Sequence, residues 1–495
     1  MTAPHCHALY TVSQVRALDR RAIEQLGIPG YELMRRAAAA AFASLRRHWP
    51  QAQRVAVHCG PGKNGGDGFL LALLAHEAGL AVEVMALAGA AGEGDAARAR
   101  SACEQAGVPV RVWDDACALP TADVHVDALY GTGLSRAPDA QAAALIERLN
   151  ASRAPIMALD VPSGLDADTG RCPGAAVRAA LTVSFIAAKR GLYTGQAPAC
   201  TGRIELATLG LPESQWQALA PDAHLLEATA LPPRPRDAHK GSNGHVLAIG
   251  GGHGTAGAIR LCGEAALRGG AGLVSVATQP EHLVALNAGC PELMAHAVNG
   301  PQALEPLLER ASVLAVGPGL GQGAWGHALW LTALDSTLPL VLDADGLNLL
   351  AAEPRRFEPH RPVVLTPHPG EAARLLGCAV SEIERDRFAA ARTLAARFAA
   401  VTVLKGAGSL IAHPDGRLDV CPWGNPGMAS GGMGDLLTGL IAALLAQGCL
   451  AWEAARLGVG LHARAGDQAA RAGERGLIAR DLLDPLRHLL NGLDA

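Results

Sequence analysis

A glycine-rich segment, residues 423–434, ends in a single carboxylate, Asp435, and leads into the apolar run 436–445. The run is long enough for about three helical turns, so the glycines lie where a loop becomes a helix N-terminus. Free backbone N–H groups and the helix dipole make such a place attractive to anions. The segment is therefore typical of a phosphate-binding site.

Asp435 itself has two interpretations. A carboxylate in the first helical turn can cap free backbone N–H groups without doing any chemistry. Alternatively, it is a base that takes a proton from a substrate hydroxyl while the N–H groups stabilise a transferring phosphoryl group. The residues alone leave both interpretations open.

The composition limits the classes of protein to consider. A chain of 495 residues is too long for one hydrophobic core, so we expect two domains. The net charge of −4 gives no basic surface for nucleic acid or an anionic membrane. Eleven cysteines are scattered without CxxC spacing, which predicts reduced thiols. There is no signal-peptide pattern and no apolar run of the roughly 18 residues that a membrane span needs, so we expect a cytoplasmic protein.

The first half of the chain alternates between strand and helix periodicity. Strands are predicted at 54–59, 81–87, 108–112, 124–129 and 156–159, and helices at 32–49, 69–78, 95–106 and 140–149. This alternation predicts a parallel sheet covered by helices, with ligands bound at the carboxyl ends of the strands. Polar segments follow three of these ends, at 60–68, at 127–134 and at 160–165. Each Asp in them is as typical of a braced turn as of a substrate contact, but three polar ends on one edge favour a site.

With their NGGDG, Asp-x-x-x-Gly-Thr-Gly and Asp-Val-Pro-Ser-Gly motifs, these segments resemble the NAD(P)H-hydrate epimerase domain over about residues 10–215. The resemblance implies a potassium ion held by Asn64, Asp127 and Ser163, because hard oxygen ligands suit a hard cation. It implies a catalytic Asp160. It also implies contacts to the hydrate from Lys63, Asn64, Gly65, Gly66, Asp67, Gly131, Thr132, Gly133, Leu134, Ser135, Arg136, Ala137 and Asp160.

Two questions stay open in this half. Lys63 departs from the asparagine that the family usually has, and a lysine there either pairs with a cofactor phosphate or crowds the potassium. The two hydrate epimers differ at a ring carbon that carries both hydroxyl and nitrogen. A positioned carboxylate, Asp160, is the minimum equipment for inverting that carbon. The sequence does not choose between ring opening and loss of water.

Periodicity is lost from Pro221 to Lys240, where prolines allow neither a helix nor a central strand. We therefore predict domains at 1–222 and 223–495. Alternation resumes with strands at 244–250, 273–277, 313–316, 338–342, 363–365 and 401–404, and 409–421 reads as a hairpin around Pro414-Asp415-Gly416. The second half is thus a second α/β sheet with an antiparallel edge pair.

The strand ends of the second half carry the motifs Ala-Gly-Ala-Ile-Arg, Gly-Pro-Gly-Leu-Gly, Thr-Pro-His-Pro-Gly-Glu, Lys-Gly-Ala-Gly-Ser and Gly-Met-Gly-Asp. They resemble the ribokinase-like fold, and specifically the ADP- or ATP-dependent NAD(P)H-hydrate dehydratase family, over about residues 225–490. The resemblance implies a catalytic Asp435, Mg²⁺, and ADP that leaves as AMP. It implies hydrate contacts from Ala258, Gly319, His368 and Asp435, and nucleotide contacts from Lys405, Gly406, Ala407, Gly408, Ser409 and Gly434.

Together the two halves predict a Rossmann-like three-layer α/β/α sandwich followed by a ribokinase-like α/β domain. The expected function is bifunctional repair of hydrated nicotinamide cofactors. The expected partners are NADHX, NADPHX and ADP, with no nucleic acid and no membrane, and we expect a homo-oligomer. One alternative is a metabolite kinase, which predicts a phosphorylated product that accumulates. The other alternative is a first half that binds or assembles without catalysis.

Overall fold

The computed structural model describes residues 7–89, 94–133, 136–228 and 231–493. The chain divides into two compact units, Met1–His224 and Leu225–Ala495. Each unit has its own hydrophobic core. Among the described residues, no helix is long and apolar enough to cross a membrane.

The N-terminal unit is built on a seven-stranded parallel sheet. The strands of this sheet are β2 (Arg54–Cys59), β3 (Ala81–Ala86), β4 (Val110–Val112), β5 (Val124–Ala128), β6 (Ile156–Leu159), β7 (Leu181–Phe185) and β9 (Arg203–Ala207). The unit also has short strands outside this sheet, β1 (Ala8–Tyr10), β8 (Ala188–Lys189) and β10 (Ala223–Leu225), the last of which lies where the units divide. Its helices are α1 (Val12–Glu24), α2 (Gly30–His48), α3 (Lys63–Glu77), α4 (Gly94–Gln105), α5 (Ala140–Ala151), α6 (Pro198–Thr201) and α7 (Ser214–Gln217). The sheet order is β4-β3-β2-β5-β6-β7-β9, and every neighbouring pair is parallel.

Alternate residues of these strands enter two different cores. Val57 and Met157 belong to the core that also contains residues of α2 and α3. Met85 and Ala158 belong to a second core with residues of α5. Because side chains alternate between the two faces of a strand, the two cores lie on opposite sides of the sheet. The predicted three-layer α/β/α architecture of this half is confirmed.

The sequence prediction is wrong about where α3 begins. The helix was expected from Phe69, but it begins at Lys63, so the NGGDG residues form its first turns. Glycine has a low helix propensity, which hides the helix start from a pattern reading. Close packing selects glycine here, because a Cβ atom at Gly65 would overlap the carbonyl oxygen of Gly60.

The C-terminal unit has a mostly parallel sheet. Its strands are β11 (His245–Ile249), β12 (Leu273–Thr278), β13 (Met294–Ala297), β14 (Val313–Val316), β15 (Leu340–Leu342), β16 (Val363–Leu365), β17 (Val401–Leu404), β18 (Leu410–Ala412) and β19 (Leu418–Val420). Its helices are α8 (Ala256–Arg268), α9 (Leu283–Gly289), α10 (Pro301–Leu308), α11 (Ala324–Asp335), α12 (Ala344–Ala352), α13 (Pro369–Leu376), α14 (Val380–Arg385), α15 (Arg387–Phe398), α16 (Met433–Ala446), α17 (Ala451–Ala469) and α18 (Leu483–Leu490). These strands follow the order β13-β12-β11-β14-β15-β16-β17-β18-β19. The pairs β17–β18 and β18–β19 are antiparallel, so the predicted edge hairpin is confirmed.

Helix α16 is almost entirely buried and packs against α8 and α17 and against β11, β14 and β15. The contact with α8 is close, because a Cβ atom at Gly439 would overlap the carbonyl oxygen of Cys262. The helix begins at Met433, which puts Asp435 in its first turn as predicted. Packing of this one helix therefore fixes where the carboxylate lies.

Candidate active sites

The N-terminal unit has a cavity of about 600 Å³, a size that suits a small-molecule ligand. Its walls come from α1, α2 and α3 and from the segments that follow β5, β6 and β7. Among the residues predicted to touch the hydrate, those lining the cavity are Lys63, Asn64, Asp67, Gly131, Thr132, Gly133 and Asp160. Three separated parts of the sequence thus meet at one cavity.

The remaining predicted contacts of this half lie elsewhere or outside the described residues. Gly65 and Gly66 are buried and are not among the residues that line the cavity. A Cβ atom at Gly66 would come within 2.7 Å of the sulfur of Met34, so this glycine serves packing. Arg136 is exposed and Ala137 packs near Gly174. Leu134 and Ser135 lie outside the described residues.

Asp160 occupies a strained backbone position at the end of β6. Its φ is +66°, the left-handed region that residues other than glycine rarely adopt. The backbone N–H of Asp160 donates to the carbonyl oxygen of Val183 at 2.7 Å. The Oδ2 atom accepts a hydrogen bond from the N–H of Thr132 at 3.3 Å. These contacts hold the carboxylate at the cavity wall.

Lys189 is the main residue that the sequence analysis missed. Its fully buried ammonium group donates to Asp160 Oδ1, to Ser184 Oγ at 2.9 Å and to the carbonyl oxygen of Phe185 at 2.7 Å. All three ammonium protons therefore have acceptors. A lysine inside the apolar run 181–192 was the available signal, because buried lysines are nearly always paired.

Asp67 is another of the carboxylates that line this cavity. Burial raises the pKa of Asp67 well above its ordinary value, the nearby charge of Asp160 adds to the rise, and Lys63 opposes it. Asp67 thus tends to keep its proton, whereas Asp160 is paired with a lysine. Two carboxyl groups whose surroundings differ in this way suit a reaction that needs both an acid and a base.

The three residues predicted to hold potassium lie in the same region. Ser163 Oγ donates to Asp127 Oδ1 at 2.6 Å, and the N–H of Ser163 donates to Asp127 Oδ2 at 2.8 Å. Burial raises the pKa of Asp127 to about 6, and the Ser163 hydrogen bonds oppose that rise. In the part of the chain that the structure describes, both side-chain polar atoms of Asn64 are buried without a hydrogen-bond partner. A buried amide oxygen without a donor is a ready cation ligand, so the donor set fits potassium.

Gly131 lies close to both the amide of Asn64 and the carboxylate of Asp160. A Cβ atom there would lie 3.4 Å from Asn64 Cγ and 2.8 Å from Asp160 Oδ2. Within the described ranges, no group of three or more His, Cys, Asp or Glu side chains is arranged to hold a metal ion. The predicted potassium site does not need such a group, because its ligands would be an amide oxygen, a hydroxyl oxygen and the oxygens of a single carboxylate.

Lys63 points away from the residues that would hold potassium. Its Nζ lies 3.1 Å from Asp19 Oδ2, and its side chain is 78% exposed. Arg16 lines the same cavity and donates to the carbonyl oxygen of Thr132 at 3.1 Å. Lys63 is therefore paired with Asp19 at the wall of the cavity, and its role towards a phosphate stays a prediction.

The C-terminal unit has its own charged cluster, centred on Lys405. Lys405 Nζ lies 2.7 Å from Asp343 Oδ1 and 3.8 Å from Glu371 Oε2. Thr438 Oγ1, in helix α16, donates to Asp343 Oδ2 at 2.8 Å. A Cβ atom at Gly434 would lie 3.2 Å from Lys405 Nζ. The structure thus brings the start of α16, the end of β15 and the loop after β17 together.

Asp435 is partly exposed in this cluster. Burial raises its pKa to about 6, Asp343 adds to the rise, and Lys405 opposes it. The N-cap of α16 is Gly432, and no side chain caps that helix. Among the described residues, Asp435 therefore does not cap its own helix, which removes the simpler of its two interpretations.

His368 and Glu371 cap helix α13 together. His368 Nδ1 accepts from the N–H of Gly370 at 3.0 Å, and Glu371 Oε2 accepts from the N–H of His368 at 2.7 Å. The His368 side chain stays half-exposed. Burial raises the pKa of Glu371 to about 7, and Lys405 opposes that rise. His368 is thus held on a stiff turn, as expected, with one ring nitrogen already in use.

A buried arginine, which the sequence analysis also missed, supports the predicted nucleotide loop after β17. Arg387 donates to the carbonyl oxygens of Leu404 at 3.3 Å and Lys405 at 3.1 Å. Gly406 has a φ of +137°, and a Cβ atom there would lie 2.9 Å from the Arg387 guanidinium. Ser409 Oγ donates to the carbonyl oxygen of Gly406 at 3.0 Å. The glycines of residues 406–408 allow the loop backbone to pack against Arg387.

The last two predicted contacts lie near the carboxyl ends of β11 and β14. Ala258 is in the first turn of α8, and the carbonyl oxygen of Gly319 accepts from Thr255 Oγ1 at 2.7 Å and from the N–H of Gly252 at 2.6 Å. These are the strands over which α16 packs. The predicted hydrate contacts thus lie at the same edge of the sheet as the start of that helix.

Comparison with known proteins places each half in a family. Residues 246–487 match the family described as NAD(P)H-hydrate dehydratase. Residues 30–191 match the family described as YjeF-related protein N-terminus. The two matches fall in the two compact units.

Full-length relatives span both units. The chain is 50% identical to the bifunctional NAD(P)H-hydrate repair enzyme Nnr of Coxiella burnetii, over 98% of this chain and 99% of that protein. It is 44% identical to the enzyme of the same description from Escherichia coli K12, over 98% and 94%. A crystal structure of ADP/ATP-dependent NAD(P)H-hydrate dehydratase from Bacillus subtilis, co-crystallised with ATP/Mg²⁺, covers 54% of this chain and 95% of that one, with 30% identity and a TM-score of 0.49. The chain belongs to the family of bifunctional NAD(P)H-hydrate repair enzymes.

Proposed function

We propose that this chain repairs hydrated nicotinamide coenzymes with two separate activities. The N-terminal unit interconverts the (R) and (S) hydrates of NADH and NADPH. The C-terminal unit dehydrates the (S) epimer and converts ADP to AMP and phosphate. The observation that carries the proposal is that each unit has its own cluster of a lysine and carboxylates at the carboxyl ends of its strands. Lys189 pairs with Asp160 in the first unit, and Lys405 pairs with Asp343 close to Asp435 in the second.

In the N-terminal unit, Asp160 is the base for the hydroxyl on the ring carbon. In the ring-opening route, the hydroxyl loses its proton, the carbon–nitrogen bond breaks towards nitrogen, and that nitrogen gains a proton. Reclosure on the other face gives the other epimer. In the water-loss route, the hydroxyl leaves as water and solvent adds to the other face. Incorporation of labelled solvent oxygen into the product supports the second route, and its absence supports the first.

Potassium in this unit would be held by Asn64, Asp127 and Ser163. The unpartnered amide oxygen of Asn64 supports this assignment. The ion would supply positive charge near the reacting hydroxyl. Lys63 and Arg16 line the wall of the cavity, and as cationic side chains they are our proposed contacts for the phosphates of the coenzyme.

In the C-terminal unit, Asp435 takes the proton from the hydroxyl of the hydrate, and the hydroxyl oxygen attacks the terminal phosphoryl group of ADP. The backbone N–H groups at the start of α16 stabilise the charge that develops on the phosphoryl oxygens. The ring nitrogen then expels phosphate, and loss of a proton from the neighbouring carbon restores the dihydropyridine. Mg²⁺ would neutralise charge on the nucleotide.

One experiment tests both activities. The full chain is mixed with both hydrate epimers and either ADP or ATP, and the return of reduced-nicotinamide absorbance is followed. Complete recovery supports two active units, and a stop after one epimer contradicts the epimerase assignment. A phosphorylated product that accumulates instead supports the kinase alternative. A homo-oligomer and a cytoplasmic location stay predictions, to be checked by light scattering and by cell fractionation.

A further inference from the structure

Two cysteine thiols of the N-terminal unit lie in contact. The Sγ atoms of Cys172 and Cys200 are 3.6 Å apart, although the residues are 28 positions apart in the chain. All the cysteines in the described ranges are free. The mechanism proposed above does not use either thiol.

The backbone around the two thiols is already held in place. The N–H of Cys172 donates to Gln196 Oε1 at 2.8 Å, and the N–H of Gln196 donates to the carbonyl oxygen of Gly170 at 2.9 Å. A disulfide needs its sulfurs about 2.05 Å apart. The remaining gap is small enough for side-chain rotation to close, because the two segments already lie side by side.

The two thiols differ in access to solvent. Cys172 is partly exposed and packs against a small core that includes Leu165 and Leu192. Cys200, in α6, is only 6% exposed. A small oxidant therefore reaches Cys172 first, and Cys200 lies beside it as the second thiol of the pair.

The pair also joins the two segments that lead away from the epimerase ion pair. The chain runs from Asp160 to Cys172 on one side and from Lys189 to Cys200 on the other. A covalent bond between the cysteines would tie these segments together beyond the ion pair. It would restrict the unfolded chain more than the folded one.

We propose that Cys172 and Cys200 form a redox modification site that a peroxide closes into a disulfide. The Cys172 thiol gives up its proton as its sulfur attacks one oxygen of hydrogen peroxide, the O–O bond breaks, and the leaving hydroxide takes up that proton, so that a sulfenic acid and water result. Cys200 then attacks the Cys172 sulfur, the S–O bond breaks, and a second water leaves. Two thiols are oxidised to one disulfide, and one peroxide is reduced to two waters.

The full-length protein is treated with hydrogen peroxide, and the wild type is compared with Cys172→Ser, Cys200→Ser and Cys117→Ser. Cys117 is a free, partly buried cysteine of the same unit and lies outside the pair, so its variant is the matched control. The wild type and the control should lose two mass units on oxidation and give one cross-linked peptide pair, and both changes should reverse with dithiothreitol. Oxidation should raise the melting temperature of the N-terminal unit by about 5 to 10 °C. Epimerase activity at room temperature should change less than twofold.

Two results would overturn the proposal. One is stepwise addition of oxygen to separate cysteines without a Cys172–Cys200 peptide pair. The other is a cross-link that persists in either single variant. Because two different single variants remove the pair, misfolding of one of them leaves the test intact.

Discussion

Lys189 donates to Asp160 through an ion pair buried at the carboxyl edge of the N-terminal sheet. The ammonium group also donates hydrogen bonds to Ser184 and Phe185. The lysine is therefore held in place and in turn holds Asp160. The backbone of Asp160 is in the left-handed region, with a φ of +66°. One of its carboxylate oxygens accepts from the lysine, and the other accepts from the N–H of Thr132 at 3.3 Å.

Lys189→Met should lower epimerase turnover by at least about 100-fold, because it leaves a buried carboxylate without its partner. Dehydration of the pure (S) epimer should stay within about twofold of the wild type, since that reaction uses the other unit. The matched variant Lys405→Met should do the reverse. Both rates are measured by recovery of reduced-nicotinamide absorbance from separated epimers. Equal loss of both activities in either variant would contradict two independent sites.

Potassium should stabilise the N-terminal unit. Exchange of K⁺ for Li⁺ should lower the melting temperature of this unit by several degrees, because binding to the folded state alone stabilises it. Asn64→Leu should remove the difference between the two ions, since it replaces the amide oxygen that has no donor. Thermal melts in each salt at equal ionic strength measure the effect. A wild-type protein that melts at the same temperature in both salts would remove the case for potassium.

Much of the site region could be predicted from the sequence because its residues interrupt the strand pattern. Asp127, Asp160 and Asp435 each stand where an apolar run begins or ends, and parallel strands bring such positions to one edge. Lys189 and Arg387 were missed because they lie inside apolar or helical stretches. Lys189 pairs with Asp160, 29 positions away, and Arg387 binds carbonyl oxygens 17 and 18 positions away, so these contacts appear only in the folded chain.

The strands β7 and β9 were missed for a related reason. Both are five residues long, and the stretch between them has little regular structure. A short apolar run has no period that separates a strand from a helix. The segment of β7 forms a strand because it pairs with β6, and sequence patterns do not show that pairing.

Dehydration should depend on a group that titrates near pH 6. Burial raises the pKa of Asp435 to about 6, and the carboxylate is the form that accepts a proton. The kcat/KM for dehydration should therefore be level above about pH 7 and fall about tenfold per pH unit well below pH 6. Measurement of initial rates from pH 5 to 8 with saturating ADP tests this. A level profile down to pH 5 would contradict Asp435 as the base.

Asp435→Asn should remove dehydration by at least about 1,000-fold and leave epimerisation intact. The side chains have nearly the same shape, so the fold of α16 should be kept. Epimerisation is followed on the same sample by chromatography of the two hydrates. A variant that still dehydrates at the normal rate would move the base to another residue.

The position of Asp435 should depend on the contact between α16 and α8. Gly439 lies one turn beyond Asp435 in the same helix, and a Cβ atom there would overlap the Cys262 carbonyl oxygen. Gly439→Ala gains helix propensity, but overpacking should outweigh it and destabilise the C-terminal unit by about 1 to 3 kcal/mol. Dehydration should fall with it, because the two helices must move apart.

The matched control is Gly257→Ala, in the first turn of α8. Among the described residues, no atom lies within 4 Å of the Cβ that this change adds. Its stability should stay the same or rise by up to about 1 kcal/mol, since alanine favours a helix more than glycine does. Denaturant unfolding of both variants compares the two free energies of unfolding. If Gly439→Ala proves as stable as Gly257→Ala, close packing of α16 on α8 is not what fixes the catalytic carboxylate.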